Sequence, residues 1–234
     1  MVSSVDDYRV RIKGFLHYRL DLGEGMQTAV FFDQCSRKCR SFCTGNFLAE
    51  HAVGIDEAEK ESYTADELIA YLMEEQKWCA SRKLIIRFTG GEPLKDPWYC
   101  VHVAKAIKEA GMKVIFRTCG DILPQHYYVV QPYTDLFIFD MITMIPCDHK
   151  RLTGFSFQRA LDCLYYLDSN RLPYRLRIRI LPGVNDTSAQ VFAAFCERLD
   201  NVMSVILDFS TSGMGKEQIR AYRDEFKKRG IILY

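Results

Sequence analysis

Residues 28–43 read TAVFFDQCSRKCRSFC, an apolar and partly β-branched run that leads into three closely spaced cysteines. The run predicts a buried strand over 28–33, and five further runs have the same character: 84–88, 113–118, 135–140, 174–181 and 202–208. Helical patterns separate these runs, and strands that alternate with helices predict a parallel sheet with right-handed crossovers. Six such units are fewer than the eight of a closed barrel. The sequence therefore favours an α/β fold, an open partial (β/α)6 barrel with parallel strands, over a flat doubly wound sheet.

The helical patterns are clearest over 64–78, where Thr64 and Glu67 have the spacing of a capping box. Further helices are predicted at 96–111, 156–169, 187–200 and 215–230, and the polar stretch 49–63 is predicted to be a surface loop. No repeat or linker interrupts the pattern, so residues 1–234 are predicted to form a single domain.

Composition narrows the class of protein. The 234 residues carry a net charge of +1, which gives no indication of a nucleic-acid or membrane partner. The first residues have no apolar core typical of a secretory signal, and nine cysteines are an odd number, which argues against a disulfide framework. We therefore expect a cytoplasmic protein in which clustered cysteines bind a metal or a cluster.

Unusual residues follow the predicted strands. The cysteines Cys35, Cys39 and Cys43 follow the first strand, and the segments 89–93 (TGGEP) and 118–121 (TCGD) follow the second and third. Asp140 ends the fourth strand, and the segment 181–186 (LPGVND) follows the fifth. Because ligands bind at the carboxyl ends of parallel strands, we expect these residues to share one rim.

Three cysteines spaced C-x3-C-x3-C suit an iron–sulfur cluster, because a 4Fe–4S cluster normally takes four thiolates and three leave one iron open to a ligand. A structural zinc site and chance clustering are the alternatives. Zinc sites commonly pair two short spacings, and the sequence has no second such pair.

Two further features indicate a charged ligand. In TGGEP, Gly90 and Gly91 let a ligand approach the backbone, with N–H groups for an anion, and Glu92 can accept from an amine, although such a pair of glycines also occurs in simple turns. In YRLRIRIL (174–181), three arginines share one strand face. This face predicts either an anion-lined interior or an edge strand whose polar face meets solvent.

These motifs together resemble a known family. The segments FFDQCSRKCRSFC (31–43), RFTGGEPL (87–94), HKRLTGFSFQRALDCLYYL (149–167) and RIRILPGVND (177–186) resemble those of the radical S-adenosylmethionine (SAM) superfamily. More narrowly, the chain is similar to the pyruvate formate-lyase activating enzyme group of glycyl radical enzyme activating proteins, from about residue 25 to 230.

The resemblance implies a set of binding residues and a reaction. Cys35, Cys39 and Cys43 would ligate a 4Fe–4S cluster whose open iron is chelated by SAM, and the residues implied to bind SAM are Phe42, Gly90, Gly91, Glu92, Thr118, Asp140 and Arg177. The cluster would receive one electron from a flavodoxin or ferredoxin-type donor, and SAM would be cleaved to a 5′-deoxyadenosyl radical. That radical would take a hydrogen atom from a glycine of a partner glycyl radical enzyme, so no catalytic acid or base is expected. The alternatives are a radical SAM enzyme that modifies another peptide or a small molecule, and a cluster-binding scaffold that does not cleave SAM.

The chain departs from the family pattern at four positions. One extra residue precedes Cys43, so that the loop bulges to bring the third sulfur into place, fails to do so, or recruits Cys119 instead. Ile142 stands where the family has a lysine, Thr211 where it usually has a histidine, and Arg117 where it often has an acid. We hypothesise that the Arg117 guanidinium supplies the positive charge that is missing at Ile142.

Overall fold

The computed structural model describes residues 8–20, 25–35, 55–79 and 83–234. The chain divides into two compact units. The first contains the described residues up to Thr118 together with Gln125–Asp135, and the second contains Cys119–Pro124 and Leu136–Tyr234. None of the helices in these described ranges is long and apolar enough to cross a membrane.

The first unit is built on a mixed sheet. Its strands are β1 (Arg9–Leu20), β2 (Met26–Phe32), β3 (Ile55–Glu57), β4 (Ser62–Thr64), β5 (Ile85–Gly90) and β6 (Lys113–Thr118). Strands β2, β5 and β6 are parallel neighbours, whereas β1 pairs antiparallel with β2, β3 and β4. The parallel strands bury both faces, as expected where helices or other elements cover the sheet.

Helices of the first unit connect these strands. They are α1 (Ala65–Trp78), α2 (Pro97–Glu109) and α3 (Gln125–Val130), with short 3-10 helices at Pro93–Lys95 and Gln131–Tyr133. The predicted capping box is confirmed, because the Glu67 N–H donates to Thr64 Oγ1 over 3.2 Å and the Thr64 N–H donates to Glu67 Oε2 over 3.0 Å. Stacked phenylalanine rings of adjacent strands, Phe88 and Phe116, have centroids 4.9 Å apart in the core.

The second unit is a parallel α/β layer. Its strands β7 (Leu136–Met141), β8 (Tyr174–Arg179) and β9 (Val202–Asp208) lie in that order. Its helices are α4 (Pro146–Thr153), α5 (Phe157–Ser169), α6 (Ala189–Cys196) and α7 (Lys216–Lys227). Because β8 has a neighbour on each side, the alternative in which the three arginines lie on an edge strand is wrong.

The six predicted strands are confirmed as β2, β5, β6, β7, β8 and β9, with ends that differ by a few residues at most. The sequence interpretation missed β1, although its exposed Arg9, Arg11 and Lys13 alternate with buried residues as in a strand with one buried face. It was also wrong for the described part of 49–63, which includes the short strand β3 and the start of β4. The single-domain organisation stays a prediction.

Candidate functional site: two strand-end clusters

In the first unit, the glycine loop after β5 is attached to the segment that carries the first cysteine. The Gly91 N–H donates to Phe32 O over 2.6 Å, and the Glu92 N–H donates to Gln34 O over 2.7 Å. Cys35, which is exposed, follows Gln34 directly. Two backbone hydrogen bonds therefore fix the chain immediately before the predicted cluster ligand.

The two glycines are required by this close approach. Gly90 has φ +94°, and a Cβ built on it would lie 2.6 Å from Phe32 O. A Cβ on Gly91 would come closer still to Gln34 O. Sequence reasoning assigned both N–H groups to an anionic ligand, and this was wrong for Gly91, whose N–H is used by Phe32. The glycines instead let two backbone segments meet.

Glu92 is a buried carboxylate at the end of this loop. Its side chain is 0% exposed, and its Oε2 accepts a hydrogen bond from Thr118 Oγ1 over 2.9 Å. Thr118, 2% exposed at the end of β6, also lies 3.5 Å from the hydroxyl of Tyr127. The structure thus brings together two residues that the resemblance selected, Glu92 and Thr118, at the carboxyl ends of neighbouring parallel strands. A buried carboxylate in such a place is suited to bind a cationic amine.

In the second unit, Arg177 lies between two carboxylates. Its Nη1 donates to Asp140 Oδ1 over 3.2 Å, and its Nη2 donates to Asp208 Oδ2. The exposed fractions of these side chains are 12% for Arg177, 24% for Asp140 and 13% for Asp208. Asp140 and Arg177, both selected from the sequence, are therefore in direct contact, and the ion pair is largely shielded from solvent.

A second arginine completes this cluster. The Nε of Arg179 lies 3.8 Å from Asp208 Oδ2 and 3.4 Å from Thr211 Oγ1. Burial acts to raise the pKa of Asp208, but the charges of Arg177 and Arg179 and hydrogen bonds from Ser210 outweigh it and hold that pKa below its ordinary value. Asp208 is accordingly ionised near neutral pH, and its carboxylate offsets part of the positive charge of the two arginines.

Asp208 is a member of this charged cluster that the sequence interpretation missed. It ends β9, as Asp140 ends β7, so an aspartate that closes an apolar strand was the available signal. Thr211 was noted only as a departure from the family histidine, and it contacts Arg179 in the structure.

The LPGVND segment holds the ends of β7 and β8 together. The Nδ2 of the buried Asn185 donates to Ile142 O over 2.5 Å and to Arg179 O over 2.7 Å, and its Oδ1 accepts from the Leu181 N–H over 2.7 Å. These three contacts give the motif a structural role, because one amide ties both strands at their carboxyl ends.

The HKRLTG segment is likewise structural in the described contacts. It forms the end of α4, where Gly154 has φ +80° and Thr153 Oγ1 donates to His149 O over 2.7 Å. The left-handed conformation explains the glycine, which ends the helix.

Several predicted residues are not placed by these contacts. Cys39, Cys43 and Phe42 lie outside the described residues, so the predicted cluster ligands can be followed only at Cys35. Within the described ranges, no three Cys, His, Asp or Glu side chains form a group that could hold a metal ion. The Ile142 side chain is 8% exposed and supplies no charge. That the Arg117 guanidinium supplies the charge missing at Ile142 stays a prediction. That the residues following the strands all lie on one rim also stays a prediction.

The sequence of this chain is similar to a known domain family and to several known proteins. Residues 22–129 match a family model described as a 4Fe-4S single cluster domain. Choline trimethylamine-lyase activating enzyme of Oleidesulfovibrio alaskensis is 28% identical over 54% of this chain, and pyruvate formate-lyase-activating enzyme of Clostridium pasteurianum is 26% identical over 83%. The chain spans 41% of the length of the first relative and 79% of the second. The chain is thus similar in sequence to pyruvate formate-lyase-activating enzyme and to other activating enzymes of glycyl radical enzymes.

Solved structures agree with the fold of these activating enzymes. A domain of pyruvate-formate lyase-activating enzyme from Bacteroides vulgatus matches with a TM-score of 0.58 and 19% identity, covering 63% of this chain and 96% of that chain. Escherichia coli QueE matches with a TM-score of 0.59 and 12% identity over 96% of this chain and 92% of its own. Streptococcus suis SuiB bound to S-adenosylmethionine matches with a TM-score of 0.60 and 14% identity over 88% of this chain and 45% of its own.

The predicted resemblance and the fold class are thereby confirmed, and the family model supports the 4Fe–4S cluster of the predicted cofactor pair. The matched relatives are named as activating enzymes, which agrees with the predicted enzyme class. The residues described here fit that cofactor pair. In the first unit, the glycine loop leaves no room for a Cβ beside the residues that precede Cys35, and the buried Glu92 carboxylate could pair with an amine. In the second unit, Arg177, whose side chain is 12% exposed, could pair with a carboxylate. The assignment of individual SAM-binding residues, the cytoplasmic location, and the absence of nucleic-acid and membrane partners stay predictions.

Proposed function

We propose that this chain is a radical SAM activating enzyme that installs a glycyl radical on a partner enzyme. When bound, the cluster and SAM supply the chemistry, namely one-electron cleavage to a radical that removes a hydrogen atom from a glycine. The protein positions these groups and requires no acid or base of its own.

One observation carries the proposal. The loop with the buried Glu92 is hydrogen-bonded through its backbone to Phe32 and Gln34, immediately before Cys35. A candidate amine-binding carboxylate and a candidate cluster thiolate are thus attached to the same short stretch of backbone. That linkage suits a ligand that must contact both the protein and an iron ion.

The residues take separate roles. Cys35, Cys39 and Cys43 would hold the cluster, and Gly90, Gly91 and Glu92, supported by Thr118, would bind the methionine amine. Asp140 and Arg177 provide a charged pair for the polar groups of SAM, and Phe42 would lie near the adenine. The partner would be a glycyl radical enzyme, and the electron would come from a flavodoxin or ferredoxin-type donor.

The test is formation of 5′-deoxyadenosine by anaerobically reconstituted protein with SAM and dithionite, with iron counted in the same sample. We expect the wild-type protein to form the product, and Cys35→Ala and Cys43→Ala to lose both iron and product. Cys147→Ala is the matched control, because Cys147 is also exposed but lies outside the cysteine loop. It should retain both.

The partner is tested separately, by electron paramagnetic resonance after addition of pyruvate formate-lyase or another glycyl radical enzyme as a candidate partner. A glycyl radical signal that depends on SAM supports the activating role. Product without that signal would favour a different peptide or small-molecule substrate, and iron without product would favour the scaffold alternative.

A further inference from the structure

The second unit contains a charge network that the predicted set of site residues only partly includes. In the strand register, Asp140 is opposite Arg177 and Arg179 is opposite Asp208. Arg177 and Arg179 are two residues apart on β8, so their side chains leave the same face of the sheet. Arg177 also reaches diagonally to Asp208, which therefore contacts both arginines.

We infer that Asp208 is a positioning residue for the ligand-binding role of Arg177, an inference that rests on the proposed function. A guanidinium is planar and has five N–H donors in a fixed arrangement. Asp140 binds it through Nη1 and Asp208 through Nη2, so the plane is held at two points by two different strands. A side chain held in this way binds a ligand without first losing rotational freedom.

The charge balance makes this arrangement depend on Asp208. Arg177 and Arg179 are 12% and 5% exposed, and two shielded cations require two carboxylates close by. An asparagine at 208 could still accept a hydrogen bond, but it would remove the charged carboxylate that both guanidinium groups contact. Arg177 would then turn towards Asp140 and away from its present orientation.

A second buried carboxylate in the same unit provides a matched control. Asp168 is 8% exposed, and it accepts hydrogen bonds from Tyr174 Oη over 2.7 Å and from the Asn201 N–H over 2.9 Å. These contacts lie near the amino ends of β8 and β9, opposite the ends that carry Arg179 and Asp208. Asp168→Asn therefore weakens the fold in the same unit without touching the arginine cluster.

The experiment is isothermal titration of cluster-loaded protein with SAM in the absence of a reductant, so that binding is measured without cleavage. We expect Asp208→Asn to raise the dissociation constant about tenfold, in line with the effect of residues that orient a binding group. Asp168→Asn should lower the melting temperature and leave the dissociation constant unchanged. Arg177→Gln should weaken binding, and Asp208→Asn should add nothing in that background, because Asp208 acts through Arg177.

The alternatives give different results. If Asp208→Asn binds SAM like the wild type, or weakens binding equally in the Arg177→Gln background, the positioning role is wrong. If Asp208→Asn does not fold, the comparison is made with Asp208→Glu, which keeps the charge but displaces it by one methylene. A smaller loss of affinity that vanishes with Arg177→Gln supports the role, and an unchanged affinity overturns it. Failure of the wild type to bind SAM would overturn the proposed function as well.

Discussion

Gly90→Ala should destabilise the protein by more than its positive φ alone explains. Gly90 has φ +94°, and a left-handed conformation costs a residue with a Cβ about 1–2 kcal/mol. The new Cβ would also lie 2.6 Å from Phe32 O and 2.7 Å from Phe32 N, backbone atoms that cannot turn aside. Forcing extra atoms into packed surroundings costs a further 1–3 kcal/mol or so. We expect a total loss of about 2–5 kcal/mol.

The assay is urea unfolding of the apoprotein, with Gly230→Ala as the control. Gly230 has φ +71°, and a Cβ on it would meet nothing within 4 Å, so that only the backbone strain of about 1–2 kcal/mol remains. The difference in unfolding free energy between the two variants therefore gives the cost of the steric clash at Gly90. Because Phe32 precedes the cysteine segment, Gly90→Ala should also bind less iron per chain than Gly230→Ala after reconstitution. Equal loss of stability in the two variants, with equal iron, would refute the reasoning.

Three further predictions concern the Thr118–Glu92 hydrogen bond, the Asn185 side chain and the Asp208 carboxylate. Thr118→Val should cost about 1.5–3 kcal/mol in urea unfolding, because it removes a hydrogen bond to the buried carboxylate of Glu92, whereas Thr134→Val, which removes a hydrogen bond to a backbone carbonyl, should cost about 0.5–1.5 kcal/mol. A Thr118 variant no less stable than the Thr134 variant would contradict this. Asn185→Ala should lower the free energy of unfolding by about 2–4 kcal/mol, because three hydrogen bonds at the ends of β7 and β8 are lost. A loss no larger than that of Asn170→Ala, an exposed residue with one such hydrogen bond, would contradict the structural role of Asn185. The pKa of Asp208 is lower in the folded protein than in the unfolded chain, so its ionised form stabilises the fold at pH values above the pKa of an unfolded aspartate, and this contribution disappears as the pH falls through the folded pKa. The difference in unfolding free energy between wild type and Asp208→Asn should therefore be constant near neutral pH and shrink below about pH 4. A difference that grew in acid would contradict that sign.

The parallel strands could be predicted because their sequences are continuous apolar runs, such as LFIF in β7, and such runs have few other uses in a soluble composition. Strand β1 was missed because arginine and lysine occupy every second position of its first half. A stretch with that many charged residues is easily interpreted as a surface loop. Its partner strands β3 and β4 are three residues long, too short for any pattern to appear.

The site was predictable where the residue type itself is unusual. A double glycine followed by a glutamate, or arginines that alternate with apolar residues along a predicted strand, are conspicuous in the sequence. The partner of such a residue is not, because Asp208 contacts Arg177 across 31 positions of chain, and only the strand order brings the two together. The hydrogen bond of the Gly91 N–H could not be predicted from the sequence either, because its acceptor, the Phe32 carbonyl, lies on another strand.

The attachment of the glycine loop to residues 32 and 34 has a consequence for how the cysteine segment can change. Both contacts are made by backbone atoms, so the side chains at Asp33 and Gln34 can be exchanged without losing them. The spacing between Phe32 and Gln34 cannot change in the same way, since an insertion between them would place a different carbonyl opposite the Glu92 N–H. An insertion after Cys35 leaves both hydrogen bonds intact. The extra residue before Cys43 lies beyond Cys35 and therefore does not disturb these two hydrogen bonds.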